Sequence, residues 1–252
     1  MKKRLGPSER LFPMPCPLVV SGTLEKANVF AAAWINVVSS TPPTVALGVR
    51  KTRHTLEYIN QTGDFSVNIA PTRLTAQVDY CGLATGRNED KWAGSGLHMQ
   101  DADSISSPLV AECPYNLECV IRERIEVGDY VVILAEIVES HADESILSED
   151  GKTVDIEALD PVVYIAGSRQ YRGLGPKVAD AFKVGKSLME ERSESTSATP
   201  TASEPAYADM ESGEDAQEVE ANAESETAAE AAAEEGAEPP EVAETEADAE
   251  DL

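Results

Sequence analysis

Residues 28–68 read NVFAAAWINVVSSTPPTVALGVRKTRHTLEYINQTGDFSVN. Two apolar runs in this segment, residues 29–38 and 44–49, are rich in Val and Ala. They predict two strands on either side of a rigid Ser-Ser-Thr-Pro-Pro corner. The turn at residues 50–55 is basic and rich in hydroxyl groups, which suits an anion held near strand ends and a helix start. We therefore expect the functional site in this segment.

The same segment also predicts a short helix and a third strand. Residues 55–61 have a helical pattern, with Thr52 as the N-terminal cap and Gly63 as the stop. Residues 64–69 follow as a strand. Basic turn, helix and strand therefore follow one another closely along the chain.

Strands dominate the rest of the chain up to residue 175. The longest two are joined by Gly128-Asp129, a dipeptide that suits a hairpin turn with positive φ. An amphipathic helix closes the domain, and we expect its apolar side to dock on the barrel or on a second subunit. These additional elements are strands over residues 17–24, 116–127, 130–141 and 162–166 and helices over residues 71–85 and 176–189. Such long antiparallel strands indicate a mainly β protein built as a barrel.

The net charge of −26 is concentrated at one end of the 252-residue chain. Residues 191–252 contain 21 acidic residues and one basic residue, whereas residues 1–190 contain 25 acidic and 19 basic residues. The acidic segment is rich in Ala, Glu, Ser and Thr and has few large apolar side chains, so it predicts a disordered tail. Two roles stay open for this tail: a solvated, repulsive chain without a binding role, or a docking segment for a basic partner protein. The acidic balance argues against nucleic acid as a partner.

Targeting signals and reactive clusters are absent from the sequence. The N-terminal residues lack a continuous apolar stretch, and no run is long enough to cross a bilayer, so we expect a cytoplasmic protein without membrane contact. The four cysteines form no C-x-x-C pair, which favours core packing over a metal or redox site. The three histidines are scattered, so no metal site or catalytic triad is predicted.

Several short motifs occur together in a recognisable order between Pro15 and Gly175. They are Asn28-x-x-Ala31-x-Ala33-Trp34, Ser39-Ser40-Thr41-Pro42-Pro43, Thr55, Gly63-Asp64-Phe65-Ser66-Val67-Asn68, Asp90-Lys91-Trp92, Pro108-Leu109-Val110-Ala111-Glu112-Cys113, Leu117-Glu118-Cys119, Gly128-Asp129-Tyr130 and Tyr171-Arg172-Gly173-Leu174-Gly175. Taken together and in this order, these motifs resemble those of the flavin reductase-like family of FMN-binding split barrels, in particular its flavoredoxin branch.

The resemblance implies an antiparallel six-stranded split β-barrel with helical insertions and a C-terminal helix. Together with the charge distribution, this predicts an FMN-binding domain at residues 1–190, followed by the disordered acidic tail at residues 191–252. It also implies a homodimer that holds FMN in a groove near the interface, with NADH or NADPH as the electron donor. A redox partner protein is a further expectation.

The phosphate of an FMN would need hydroxyls, cations and backbone N–H groups. Six residues at strand ends and at the helix start offer these groups: Ser39, Ser40, Arg50, Lys51, Thr52 and Thr55. The dense basic cluster within them can also be a solvated turn or a helix cap. Lys91 can reach the phosphate from a Gly-rich loop or lie on the surface.

The flavin ring would need apolar cover and a few hydrogen bonds. Ala31, Ala32, Ala33 and Trp34 can line the ring with backbone amides, although ordinary core packing explains Trp34 equally well. Many family members carry Thr or Ser at the positions of Ala31 and Ala33, so side-chain hydrogen bonds would be lost here. Asn28 is assigned a place near the flavin.

Three functions fit these expectations. The first is an NAD(P)H-dependent flavin reductase, and the second is a flavoredoxin-type carrier that passes electrons between proteins. The third is a flavin-less split barrel that acts as a binding module. Hydride transfer to a flavin requires no protein acid or base, so the lack of catalytic residues does not separate the first two.

Overall fold

The computed structural model describes residues 2–188. The described residues divide into two units, one that ends at Val178 and one that begins at Ala179. The first unit contains twelve strands: β1 (Met14–Pro15), β2 (Leu18–Thr23), β3 (Lys26–Ala31), β4 (Ile35–Ser40), β5 (Pro43–Arg50), β6 (Asp64–Ile69), β7 (Met99–Gln100), β8 (Leu109–Val110), β9 (Tyr115–Val127), β10 (Tyr130–Ala142), β11 (Val163–Ile165) and β12 (Gln170–Arg172). Its helices are α1 (Thr55–Thr62), α2 (Thr75–Leu83), α3 (Lys91–Ser95) and α4 (Ile156–Leu159), with 3-10 turns at Thr72–Leu74 and Glu144–Ile146. The predicted acidic tail, residues 191–252, lies outside the described residues.

Seven strands form one antiparallel sheet in the order β3-β2-β6-β9-β10-β5-β4. Its two edge strands, β3 and β4, are consecutive in the chain and are joined by residues 32–34. The Ala32 N–H donates to the Pro17 carbonyl (3.0 Å), and the Gly48 N–H donates to the Trp34 carbonyl (2.7 Å). The connection thus ties both edges together, and the sheet closes into a split barrel. The predicted mainly β split barrel is confirmed, with seven strands in the sheet instead of six.

The long hairpin of β9 and β10 forms the middle of this sheet. Each strand has 13 residues, and Tyr130 pairs with Val127 across the turn. Gly128 has φ 54°, a conformation that residues with a Cβ rarely adopt, so this position favours glycine. The predicted hairpin is confirmed, and its second strand also pairs with β5, with Tyr130 opposite Arg50.

Apolar side chains fill two cores on the two faces of the sheet. The core inside the barrel includes Leu47, Phe65 and Ile133, each fully buried. The second core lies between the sheet and α2 and includes Leu18 and Val78. Burying one such side chain contributes about 1.5–3 kcal/mol. Because β2 serves both cores, five of its six residues are buried, and Leu18, Val19 and Val20 form an apolar run in its first half.

All four cysteines are buried and unpaired, as the sequence predicts. Burial raises the pKa of the Cys119 thiol to about 12, so this thiol stays protonated near neutral pH. These cysteines therefore act as small apolar residues of the core.

A buried carboxylate fastens the loop before β8 to the barrel. Glu118 is fully buried, and its carboxylate accepts hydrogen bonds from the backbone N–H groups of Asp103 (2.8 Å) and Ser104 (2.6 Å). His141 Nε2 lies 2.6 Å from the same carboxylate. Burial alone would raise the pKa of Glu118, but these hydrogen bonds lower it below 4.5.

The helices differ from the sequence predictions at their ends. Helix α1 ends at Gly63, which adopts φ 74° as a helix stop, but it begins after His54 and is not capped by Thr52. The helix predicted over residues 176–189 does not form at residues 176–180, and within the part described, which ends at residue 188, helical backbone appears only at residues 186–188. Val178 is 98% exposed, so it does not make the packing contacts that stabilise a short amphipathic helix. Among residues 2–188, no helix has the length and apolar composition needed to span a bilayer.

Candidate functional site

A cleft of about 590 Å³ opens where the β3–β4 connection meets the end of β5. Helix α2, the start of α1 and the small sheet β1-β11-β12 complete its walls. The cleft is lined by nine of the residues predicted from the sequence: Asn28, Ala31, Ala32, Ala33, Trp34, Arg50, Thr52, Thr55 and Lys91. Its volume lies in the range of small-molecule and cofactor sites.

The β3–β4 connection forms one wall of the cleft. The predicted continuous strand over residues 29–38 is broken here, because the chain crosses from β2 to β5 at residues 32–34. Within the described residues, the backbone N–H of Ala33 makes no hydrogen bond, so it is available to a ligand. Trp34 is 44% exposed and lies 6.3 Å from the Tyr130 ring, which differs from the core packing considered above. This wall therefore combines small side chains, an exposed aromatic ring and a free donor.

A buried polar pair lies behind this wall. The side-chain amide of Asn28 donates to the Thr55 hydroxyl at 2.6 Å, and both residues are buried. Gly86 approaches so closely that a Cβ there would lie 2.1 Å from Asn28 Oδ1. The pair links β3 to the first residue of α1 and fixes the Asn28 amide at the cleft.

Cationic side chains border the cleft at the end of β5. Arg50 Nη2 donates to the Tyr130 hydroxyl (3.3 Å), and Arg53 donates to the Gly82 carbonyl (3.4 Å). Lys51 does not line the cleft, since its ammonium pairs with Glu126 at 2.6 Å. Arg50 at the end of β5 and Thr52 in the turn that follows therefore line the cleft, whereas Lys51 between them is held outside it by Glu126.

Lys91 lines the cleft as a buried residue, not as a surface lysine. It is 4% exposed, and its ammonium donates to the carbonyls of Val29 (2.9 Å) and Cys81 (2.8 Å). Burial lowers its pKa to about 8, because the charged form loses its hydration. The Asp90 side chain caps α3 by accepting hydrogen bonds from the backbone N–H groups of residues 92 and 93, and this fixes the backbone next to Lys91. Two of its three donors are taken by the fold.

Ser39 and Ser40 do not belong to the cleft. They lie at the β4–β5 turn, where the Ser39 hydroxyl donates to the Thr41 carbonyl. The eight residues of β5 separate this turn from Arg50, a distance of about 23 Å along an extended strand. The structure therefore does not bring them together with Arg50, because they lie at the end of β4 beside the start of β5, whereas Arg50 is the last residue of β5.

The structure adds cleft residues that the sequence did not single out. They are chiefly His54, Asp79, Tyr130 and Tyr164. Tyr171, the first residue of the last motif, also lines the cleft and donates to Asp79 at 2.9 Å, and burial and this hydrogen bond raise its pKa. Tyr130 could have been found, since a hairpin turn at residues 128–129 and antiparallel pairing bring its strand end beside Arg50. The others are brought in by tertiary packing, and no local pattern marks them.

The walls of the cleft offer groups that can bind a ligand. Within residues 2–188, no group of three or more His, Cys, Asp or Glu side chains could hold a metal ion. The walls instead offer hydroxyls, a free backbone donor, an arginine without a carboxylate partner among the described residues, and flat apolar surface. These groups suit a planar ligand that carries an anionic arm.

Comparisons with known proteins agree with this geometry. Residues 9–175 match the sequence profile of the flavin reductase like domain. The structure is similar to flavoredoxin of Desulfovibrio vulgaris (Miyazaki F), with TM-score 0.69, 34% identity and coverage of 73% of this chain and 100% of that one. Flavoredoxin of Methanosarcina acetivorans matches with TM-score 0.69, 32% identity and coverage of 75% and 100%. An uncharacterized protein of Archaeoglobus fulgidus is 31% identical over 144 residues, which are 57% of this chain and 80% of that protein.

Proposed function

Because the chain belongs to the flavin reductase like domain family, we propose that its cleft binds FMN and that the protein passes electrons from NADH or NADPH through the flavin to an acceptor. The observation that carries the proposal is the cleft itself, which joins a flat apolar wall to a hydroxyl and guanidinium border. Family membership supports a flavin, and the phosphate-binding chemistry of the border supports FMN.

The donor set of the cleft fits an FMN. Arg50 and Thr52 offer a guanidinium and a hydroxyl for the phosphate. The unbonded N–H of Ala33 and the fixed amide of Asn28 suit the polar edge of the ring. The lost Thr or Ser side chains at positions 31 and 33 leave the backbone as the source of those hydrogen bonds.

The residues of this chain bind and orient, and the cofactor supplies the redox chemistry. When bound, a flavin would supply the acceptance and release of electrons. Ala31 to Trp34 exclude water from one wall, and Lys91 places a positive charge at another wall. A positive charge near the ring favours added negative charge there, so Lys91 would raise the tendency of the site to accept electrons.

Flavin binding is tested with a pair of neighbouring variants. Arg50→Met removes the guanidinium from the cleft, whereas Lys51→Met removes an adjacent charge that pairs with Glu126 outside it. We expect the first variant to weaken FMN binding by at least about tenfold and the second to leave it within about twofold. Equal losses in both variants would refute the placement of the anion site.

Nicotinamide use is tested by anaerobic titration of the FMN-loaded protein. We expect NADH or NADPH to bleach the absorbance of the bound flavin, and added free FMN shows whether reduced flavin exchanges. Absence of bleaching with both nucleotides would reject the reductase activity but not flavin binding.

A flavoredoxin-type electron carrier is the second candidate. It is favoured by the 34% and 32% identities to two flavoredoxins, each covered over 100% of its length. For a carrier we expect dithionite to reduce the bound flavin while both nucleotides fail, and the reduced protein to reduce cytochrome c. Rapid bleaching by either nucleotide would instead favour the reductase.

A homodimer is part of the proposal. Strand β4 is an edge of the sheet, and it exposes Val37 (58%) and Val38 (56%). Exposed apolar residues on an unpaired edge suit association with another chain. Light scattering measures the mass, and we expect V37K/V38K to convert a dimer to a monomer. A wild-type monomer would reject this part of the proposal.

A further inference from the structure

The tip of the β9–β10 hairpin is held against the end of β5 beside the cleft. The Lys51 N–H donates to the Asp129 carbonyl at 2.8 Å, and the Lys51 ammonium pairs with Glu126. Tyr130 and Arg50 face each other directly in the β5–β10 ladder. Directly paired residues project their side chains from the same face of a sheet. The pairing of the hairpin with β5 therefore positions Tyr130 at the border of the cleft.

Tyr130 contacts Arg50 in two ways. The guanidinium carbon lies 5.4 Å from the centre of the Tyr130 ring, and Nη2 donates to the Tyr130 hydroxyl at 3.3 Å. The Trp34 ring lies 6.3 Å from the Tyr130 ring. All three side chains line the cleft. Tyr130 thus connects the aromatic wall to the cationic border.

Arg50 depends on this tyrosine for its orientation. Within residues 2–188 it forms no ion pair, and Tyr130 is the hydrogen-bond partner of its side chain. An exposed arginine without such contacts samples many rotamers, and binding an anion then costs more conformational entropy. A ring beneath the guanidinium limits these rotamers while leaving other N–H groups free.

We propose that Tyr130 is the positioning residue that makes the cleft select a phosphorylated flavin over riboflavin. It holds the Arg50 guanidinium at the place where the phosphate arrives. The ring supplies most of the effect through the stacked guanidinium, and the hydroxyl adds a hydrogen bond. This role rests on the proposed FMN site and assigns its selectivity to a residue that need not touch the flavin ring.

The test compares FMN with riboflavin, which lacks the phosphate. Flavin-free full-length protein is titrated with each flavin for the wild type, Tyr130→Ala, Tyr130→Phe and Arg50→Met. We expect Tyr130→Ala to weaken FMN binding by about tenfold and riboflavin binding by less than about twofold. Tyr130→Phe keeps the ring and should retain most of the preference for FMN.

A double variant and a neighbouring control complete the test. Arg50→Met with Tyr130→Ala should bind FMN no more weakly than Arg50→Met alone, because Tyr130 acts through Arg50. Val127→Ala alters the exposed hairpin tip outside the cleft and should leave the FMN-to-riboflavin ratio unchanged. Additive losses in the double variant, or equal weakening of both flavins in Tyr130→Ala, would overturn the inference. Failure of the wild type to bind either flavin would instead overturn the proposed function on which it rests.

Discussion

Replacing Lys91 with Met removes a buried ammonium while keeping a long unbranched side chain. Lys91 is 4% exposed and donates to the carbonyls of Val29 and Cys81. Its pKa falls from 10.5 to about 8 on folding, chiefly because burial disfavours the charge. At 1.36 kcal/mol for each pKa unit, this difference corresponds to about 3 kcal/mol. Lys91 therefore makes the stability of the wild type depend on pH.

The sign of this dependence follows from proton binding. Between about pH 8 and pH 10.5, the unfolded chain keeps the Lys91 proton while the folded protein releases it. Stability rises with pH wherever the unfolded state binds more protons. The free energy of unfolding of the wild type should thus rise relative to that of Lys91→Met, by up to about 3 kcal/mol across this window. Groups shared by both proteins cancel in the difference.

Urea denaturation of flavin-free protein at a series of pH values measures this difference. Lys152→Met, at an exposed position, controls for the loss of one positive charge. Most of the rise should occur above about pH 8 and level off near pH 10.5. A difference that stays flat or falls over this range would refute the assignment of Lys91 as a buried cation of the fold.

Three further changes have defined outcomes. Gly86→Ala places a Cβ 2.1 Å from Asn28 Oδ1 and should weaken FMN binding by at least about tenfold. Gly175→Ala is the control, because a Cβ at that position meets only open space and should leave FMN binding unchanged. Equal FMN affinities of the two variants in titration would contradict the close approach of Gly86 to Asn28. Glu118→Gln should lower the free energy of unfolding at neutral pH, because the ionised Glu118 carboxylate stabilises the fold through its hydrogen bonds. The difference from the wild type should shrink as the pH falls below 4.5 and Glu118 becomes protonated. A pH-independent difference in urea denaturation would contradict this. Deletion of the residues after Ser193 should preserve the circular dichroism spectrum and the flavin content, and a large loss of soluble protein would contradict the tail prediction.

Much of the barrel can be predicted because its strands carry their own signals. The β9–β10 hairpin has two long runs and a Gly at the turn, and the structure places the turn there. The break at residues 32–34 carries no such signal. The run around it is apolar except for Asn36, and the crossing from one barrel edge to the other is set by hydrogen bonds to Pro17 and Gly48, which are distant in sequence. Local patterns do not encode those partners.

The cleft was partly predictable for a similar reason. Arg50, Thr52 and Thr55 are close in sequence and stay close at the end of β5 and the start of α1. Ser39 and Ser40 offer similar hydroxyl groups but lie on β4, beside the start of β5 and far from Arg50. The type of a side chain predicts what it can bind, but its position along a strand decides which site it can reach.

The pattern over residues 176–189 shows the limit of periodicity. Its apolar spacing is compatible with a helix, but a short amphipathic helix needs a surface that buries its apolar side. Val178 remains exposed, and the backbone is not helical at residues 176–180. Sequence spacing cannot supply that surface.

Titration of flavin-free full-length protein with FMN, followed by flavin fluorescence, tests the central claim most directly. The cleft predicts saturable binding of one FMN per chain, with a clear loss of affinity in Arg50→Met and none in Lys51→Met. No saturable binding by the wild type would contradict the account.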